Sequence, residues 1–306
     1  MEILQVKGNT YILDTGMTYI PFYKINNEEI ILLDTGWRKE REGIVDLLME
    51  NNFKVSGIIN SHAHVDHVGN NKYFRERYKC AIAMGDMEAY ICRSAVNLKT
   101  YYSNASYTDI KEHYNHMVCE TDIRIQNNQD RINMCGIEFR ILHTPGHSPA
   151  HICTITPDNV AYIGDALISY EVMWGAKMPY AFILSEDLKS KEKLYTLECS
   201  QYIVAHKGVY SDQEITKLIA DNIKFYKSRA AGVYSVIKNK ITLEEIIKAA
   251  CKKFNISIKT VWKYAMIERM VRSYVEYLTE IGSIKLDSTD GFLKYYKVMD
   301  NKGNVC

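Results

Sequence analysis

The sequence predicts a layered α/β domain over residues 1–212 followed by a small, mainly helical domain over 213–306, on three observations. Up to about residue 210, short runs rich in β-branched and aromatic residues alternate with stretches of helical spacing, the pattern of sheets covered by helices. From residue 212 onward the apolar residues fall three and four apart almost continuously, until one Asp-Gly pair interrupts an alternating run. The charge is also partitioned: residues 222–306 carry 16 Lys+Arg against 8 Asp+Glu and the remainder 22 against 29, so a net +1 conceals +8 and −7. Two units with different surfaces, the second suited to face an anion, account for the split, as does a solvated helical face.

Strands are predicted at 11–15 (YILDT), 29–35 (EIILLDT), 55–61 (VSGIINS), 137–144 (IEFRILHT), 151–156 (HICTIT) and 159–164 (NVAYIG). Between them, residues 38–50 place apolar side chains at 44, 45, 47, 48 and 49 of a helix, and 71–78 form a shorter one. Residues 85–118, rich in Met and Tyr, interrupt the alternation with a largely helical insertion that caps a site, forms a subunit contact in a homodimer, or packs as an extra helix pair. In the second domain, helices are predicted over 213–239, over 243–254 behind a Thr242 cap with Glu245 three residues on, and over 258–281. The Asp290-Gly291 pair within SIKLDSTDGFLKYYKV then turns a β-hairpin, and three helices with a hairpin read as winged-helix-like. LDTG occurs at 13–16 and again at 33–36, but the flanking residues differ, which indicates two strand ends with similar turn requirements.

At 306 residues, 47% hydrophobic and 25% charged, the chain has an ordinary globular composition and length enough for a sizeable core. No apolar run approaches the roughly 18–20 residues that cross a bilayer. The opening MEILQVKGN lacks a signal peptide's basic start and long apolar stretch, so the expectation is a cytoplasmic protein with no membrane partner. Eight cysteines are scattered with no CxxC pair, which suggests neither a zinc knuckle nor a disulfide framework.

Three of the chain's nine histidines, with an aspartate, crowd into NSHAHVDHVGN at 60–70. If a strand ends near Ser61, His62 and His64 project to the same side of the following loop, and Asp66 and His67 come round on the next turn. Neutral imidazoles and a carboxylate are ligands for zinc and neighbouring transition metals, and close spacing lowers the entropy cost of assembling them. Protonated imidazoles so near one another would repel, which favours a cation that keeps them neutral. Three later strand ends each offer one more donor: His147 in HTPGHSPAH after the turn forced by Pro145 and Gly146, Asp165 in YIGDAL, and His206 in YIVAHKG. His143 and His151 flank His147 as candidates for hydrogen bonds to it. Tyr170, Trp174 and Tyr180 follow Asp165 on a stretch that lines a pocket or simply packs, with Tyr170 or Tyr180 a candidate proton donor to substrate. His113 and His116, at helical spacing in the insertion, read as surface residues.

With HAHVDH, TPGH, GD and AHKG in this order, residues 1–212 resemble the metallo-β-lactamase superfamily of hydrolases. The resemblance implies a four-layered αβ/βα sandwich with the site at one edge, between two sheets. It implies two divalent metal ions, zinc first and iron or manganese as alternatives the same donors accept: one held by His62, His64 and His147, the other by Asp66, His67 and His206, with Asp165 bridging. Asp34, in LLDTG, matches a family aspartate that supports the histidine loop; from the residues alone a turn-forming role is equally open. The implied chemistry needs no protein nucleophile. A bridging hydroxide attacks an ester, thioester, lactone or phosphodiester, and Asp66 is the catalytic residue that orients it and relays its proton.

Antibiotic hydrolysis is disfavoured, because the zinc β-lactamases are exported and usually differ at the Asp165 position. A redox di-iron centre is disfavoured because His64 stands where the flavodiiron enzymes carry glutamate. The ligand set is closer to the glyoxalase II, lactonase and tRNase Z branches, without a clear glutathione-contact signature or RNA-binding arm, and the helical tail is similar to that of the β-lactamase-like protein 2 group. Cleavage of a small-molecule ester, thioester or lactone is therefore expected first. The alternatives are a phosphodiesterase or endoribonuclease taking RNA or another anion through the basic tail, and a nucleic-acid-binding regulator whose hydrolase domain senses a metabolite.

Overall fold

The computed structural model describes residues 1–298. Cys306 and the last residues of the predicted C-terminal domain lie outside the described residues, and the other seven cysteines are free. Among the described residues no helix is long and apolar enough to cross a membrane.

Two sheets face one another. The first follows chain order: β1 (Glu2–Lys7), β2 (Thr10–Asp14), β3 (Tyr19–Lys24), β4 (Glu29–Leu33), β5 (Lys54–Ile59), β6 (Ala81–Gly85) and β7 (Ile123–Ile125). β1 to β4 are joined antiparallel, and β4 to β7 run parallel. Parallel neighbours need crossovers, which α1 (Arg41–Glu50), α2 (Asn71–Tyr78) and, between β6 and β7, the helical insertion supply. The second sheet has the order β13-β12-β11-β10-β9-β8, from β8 (Arg131–Met134), β9 (Ile137–His143), β10 (Ile152–Ile155), β11 (Val160–Gly164), β12 (Gln201–Val204) and β13 (Gly208–Tyr210). The insertion forms α3 (Asp86–Cys92), α4 (Ala95–Tyr101) and α5 (Tyr107–Asp109), the last continuing through a wide turn at Ile110–Tyr114. Between β11 and β12, the parallel pair of the second sheet, lie α6 (Tyr170–Gly175) and α7 (Leu184–Lys193).

The period of two along β4 shows how the layers form. Ile31 and Leu33 point between the sheets, where they meet Phe139, Val160 and Ile203. Ile30 and Leu32 point outward onto a cluster with Ile44 and Leu48 of α1 and Phe74 of α2. The outer face of the second sheet is covered by α8 (Asp212–Val236) through Ile215, Leu218 and Ile219. Helices therefore flank both sheets, giving four layers in the order the motifs implied.

The predicted strands all form within two residues of their expected ends, but β1, β3, β6, β7, β8 and β13 were not anticipated. β1 is an edge strand with mostly exposed side chains, so its pattern carries little apolar signal. Pro21 makes β3 read as a break, yet it pairs with Ile12 of β2, and β3 meets β4 only from Phe22 onward, so its missing N–H breaks no bond with β4. Beyond α8 come α9 (Leu243–Lys253), α10 (Val261–Glu280) and a hairpin of β14 (Ile284–Asp287) with β15 (Lys294–Lys297). Thr242 and Glu245 form the expected capping box on α9. These helices share one apolar cluster with Ile168 and with Ala181, Leu184 and Leu188 at α7, which seats the C-terminal region against the segment that follows Asp165.

Candidate metal centre

The parallel register of β4, β5 and β6 brings their carboxyl ends, Leu33, Ile59 and Gly85, to one edge, and chains leaving such an edge form the crevice where open α/β sheets bind ligands. Asp34 leaves β4 there with φ +69°, a left-handed conformation that turns its carboxylate back under the histidine loop. Its Oδ1 accepts from the Ser61 N–H at 2.8 Å, and its Oδ2 accepts from Ser61 Oγ at 2.6 Å, Tyr162 OH at 2.6 Å and His67 Nδ1 at 2.8 Å. The turn role and the support role left open by the sequence are both filled by this residue.

Each of three loop histidines has its outer nitrogen occupied. His67 Nδ1 donates to Asp34, His62 Nδ1 lies 3.0 Å from Ser61 Oγ, and His64 Nε2 lies 2.9 Å from Tyr101 OH. Because Ser61 Oγ gives its proton to Asp34, it accepts from His62, which leaves the inward nitrogen of His62 as a lone pair. Those inward atoms converge: His62 Nε2 is 2.8 Å and His147 Nε2 3.0 Å from His64 Nδ1, and one in-plane lone pair cannot accept from both. The donor atoms of His62, His64, His147 and Asp165 all lie within 4.8 Å of one another, as do those of Asp66, His67 and His206. Asp165 stands between the groups, its Oδ2 3.4 Å from His147 Nε2 and 3.5 Å from His206 Nε2, its Oδ1 3.6 Å from His67 Nε2. His67 Nε2 and Asp165 Oδ1, which face the cluster, are buried without a hydrogen-bond partner. Inward lone pairs, a shared carboxylate and orphaned buried polar atoms are what a pair of bound divalent cations would satisfy, so the residues fit the metal the motifs implied.

The strand ends set these positions. Gly164 has φ +56° and a Cβ there would lie 2.6 Å from His151 Nε2, so only glycine lets the chain turn Asp165 into the cluster. His151 Nε2 accepts the Asp165 N–H at 3.1 Å while its Nδ1 faces Thr144 Oγ1 at 2.8 Å, so His151 holds the backbone of Asp165. His143 reaches instead to Gln129 O at 2.7 Å, away from His147. Tyr180 packs against the rings of His64 and His147, both at 5.5 Å between centroids. Tyr170 turns its hydroxyl to Asp221 of α8 at 2.8 Å, and Trp174 beside it is 84% exposed, so Tyr180 and not Tyr170 stands at the histidines. His113 is exposed as expected, but His116 is half-buried, and burial lowers it to about 4.

Two contributors carried no sequence signal. Glu88 of α3 is fully buried and accepts from Ala63 N–H at 2.8 Å, Ser148 Oγ at 2.6 Å and Ala150 N–H at 2.7 Å, clamping the histidine loop to the His147 loop; burial raises its pKa. Tyr101 ends α4 and meets His64, so the insertion does cap the cluster.

Electrostatically the two halves differ. Burial pushes His64 and His147 down to about 3 and His62 well below its usual value. Burial acts the same way on His67 and His206, but Asp165 and Asp66 override it, raising His67 well above its usual value and His206 to about 10. Asp66, which burial alone would raise, is held at about 2 by His67 and His206. In chelated protein a lowered histidine contributes stability that is complete above its unfolded pKa near 6.5 and lost as pH falls toward 3. A raised one contributes stability complete below 6.5 and lost as pH rises toward 10. The Tm of chelated protein should therefore peak at about pH 6–7 and fall on both sides. A steady rise from pH 6.5 to 9 would contradict protonated His67 and His206 held by Asp66 and Asp165.

Similarity to known proteins agrees with this geometry. The profile of the Metallo-beta-lactamase superfamily matches residues 13–206. The chain is 32% identical over 126 residues to an uncharacterized protein of Aquifex aeolicus (strain VF5), 41% of this chain and 53% of that one. It is 25% identical over 151 residues to a hydroxyacylglutathione hydrolase of Klebsiella pneumoniae subsp. pneumoniae, 49% of this chain and 47% of that one, so the chain spans about half the length of these curated relatives. A metallo-beta-lactamase family protein of Thermus thermophilus shares the fold at a TM-score of 0.68 and 17% identity, over 97% of this chain and 98% of that one. All seven donors fall inside the matched span of a family whose members are generally hydrolases, and the chain belongs to the metallo-beta-lactamase superfamily.

Proposed function

We propose that the protein is a binuclear, metal-dependent hydrolase of small-molecule esters, thioesters or lactones. The observation that carries this reading is the placement of two donor groups on either side of Asp165, with the outer nitrogens of His62, His64 and His67 held so that lone pairs face inward. Two divalent cations in such a site supply Lewis acidity and lower the pKa of water toward neutrality. Asp66, ionised at neutral pH, orients the attacking water and accepts its proton as a weak base that passes it on. Tyr180, kept as a phenol by burial, can donate to a substrate oxygen over the cluster. Glu88 and His151 hold the loops whose movement would separate these groups. The likeness to hydroxyacylglutathione hydrolases, thioester-cleaving by name, favours acyl over phosphoryl substrates.

The excess of cations in the tail favours the second reading, a phosphodiesterase, with three helices and a hairpin serving as a winged-helix-like RNA contact. Against it, Lys240, Arg272 and Lys294 are already paired with Asp287, Glu268 and Asp290. Purified protein should bind about two equivalents of zinc, and chelation should lower turnover by about a thousandfold, reversibly. Acyl thioesters and bis-p-nitrophenyl phosphate, assayed side by side, separate the readings: turnover of the phosphodiester alone transfers the site to the second, and full turnover after chelation rejects both.

A further inference from the structure

One wall of the donor cluster is a chain of polar contacts that ends on the C-terminal helix. Beyond Tyr101, the hydroxyl of Tyr180 lies 3.4 Å away, and Arg269 of α10 donates from Nη2 to Tyr180 OH at 2.7 Å. The guanidinium carbon is 4.8, 4.7 and 5.2 Å from the ring centres of Tyr101, Tyr102 and Tyr180. Aromatic faces attract a cation without neutralising it. Among the described residues no carboxylate lies within ion-pair distance of Arg269, although Glu268 and Arg272 on the same helix pair with each other at 2.8 Å. Arg269 is only half-exposed, and a guanidinium has five N–H donors of which one is spent on Tyr180. A half-buried charge lacking a counter-ion is costly unless a ligand brings one. Contacts independent of Arg269 fix its helix here: Asn104 of the insertion donates to Ala265 O at 2.8 Å, and Tyr114 packs 5.6 Å from Trp262.

We propose that Arg269 is a specificity-determining residue that receives an anionic group of the substrate, a carboxylate or a phosphate, while the bond to be cleaved lies over the donor cluster. The inference rests on the hydrolase reading and narrows it to anionic substrates. Tyr180 orients the fork by accepting one N–H, which leaves the guanidinium's remaining donors for the anion.

Two measurements test it. Chelated protein titrated calorimetrically with succinate and with inorganic phosphate should bind at least one, and Arg269→Gln should weaken that binding by about ten- to a hundredfold, with partial recovery in Arg269→Lys. The tighter anion identifies the group, and no binding, or equal binding by wild type and Arg269→Gln, overturns the proposal. On zinc-loaded protein, the ratio of kcat/KM for mono-4-nitrophenyl succinate over 4-nitrophenyl acetate should fall by about tenfold or more in Arg269→Gln, mainly through KM. Tyr180→Phe, which keeps the ring, should lower the same ratio by less, and it stands in if Arg269→Gln does not fold. An unchanged ratio marks a packing role and overturns the proposal. Anion binding through Arg269 by a wild type that, zinc-loaded, cleaves neither these esters nor an acyl thioester or lactone leaves the anion site standing and rejects the hydrolase reading.

Discussion

Replacing Asp165 by alanine is expected to remove both metal equivalents together and to cut turnover by at least about a thousandfold, whereas His62→Ala or His206→Ala costs chiefly one equivalent. The difference follows from position. Asp165 is the carboxylate that approaches donors of both groups among the described residues, His147 and His206 through Oδ2 and His67 through Oδ1. Without it the His62 group has no negative charge, the other keeps only Asp66, and two dications would face each other with no shared anion between them. Metal analysis of the purified variants beside turnover gives the result directly. An Asp165→Ala protein that retains two equivalents would show that the shared carboxylate is not what joins the two halves.

The largest expected effect on stability is that of Gly146→Ala, at about 3 kcal/mol or more, read as a Tm lower by at least about 5 °C. Gly146 has φ +129°, and a Cβ there would sit 2.1 Å from the backbone nitrogen and 2.2 Å from the Cα of Asp187. Those atoms belong to α7 and cannot swing aside as a side-chain tip would. The Gly146 carbonyl also accepts the N–H groups of Phe182 and Ile183 at 2.8 and 2.9 Å, and Ser190 Oγ donates to Pro145 O at 2.6 Å, so the turn is bolted to the helix start. Moving it moves His147, and zinc affinity should fall with Tm. Gly136→Ala is the control: φ is +81° but nothing lies within 4 Å, and only the left-handed strain of about 1–2 kcal/mol remains. Equal losses at the two glycines would mean that the seat on α7 does not matter.

The donors were legible because each stands at a strand end beside a glycine or within a six-residue motif, where local chemistry leaves a signature. HAHVDH is a dense cluster, and Gly146, Gly164 and Gly208 mark the three later turns. What was not legible arrives from a distance. Glu88 is one acidic residue in a helix of ordinary composition, and its role exists only because α3 lies under both loops at once. Arg269 sits 205 residues from His64 in a helix that also carries Lys263 and Arg272, and nothing local separates it from them. Tyr170 and Tyr180 show the converse: both follow Asp165, both were equal candidates, and the packing of α8 decided between them by giving Asp221 to Tyr170. Strands failed where burial was one-sided or short, as in β1 and the three-residue β7.

β11 and β12 are parallel neighbours whose ladder pairs Gly164 with Val204, and Asp165 and His206 are the residues that leave just beyond that rung. Their spacing is thus a ruler made of main chain, set by the roughly 4.8 Å between hydrogen-bonded strands and not by which side chains are attached. Evolution or a designer can exchange donors at these positions to suit a softer or harder cation while the distance from the shared position to the His206 side stays the same. The sheet would thereby pass one working separation from one chemistry to the next.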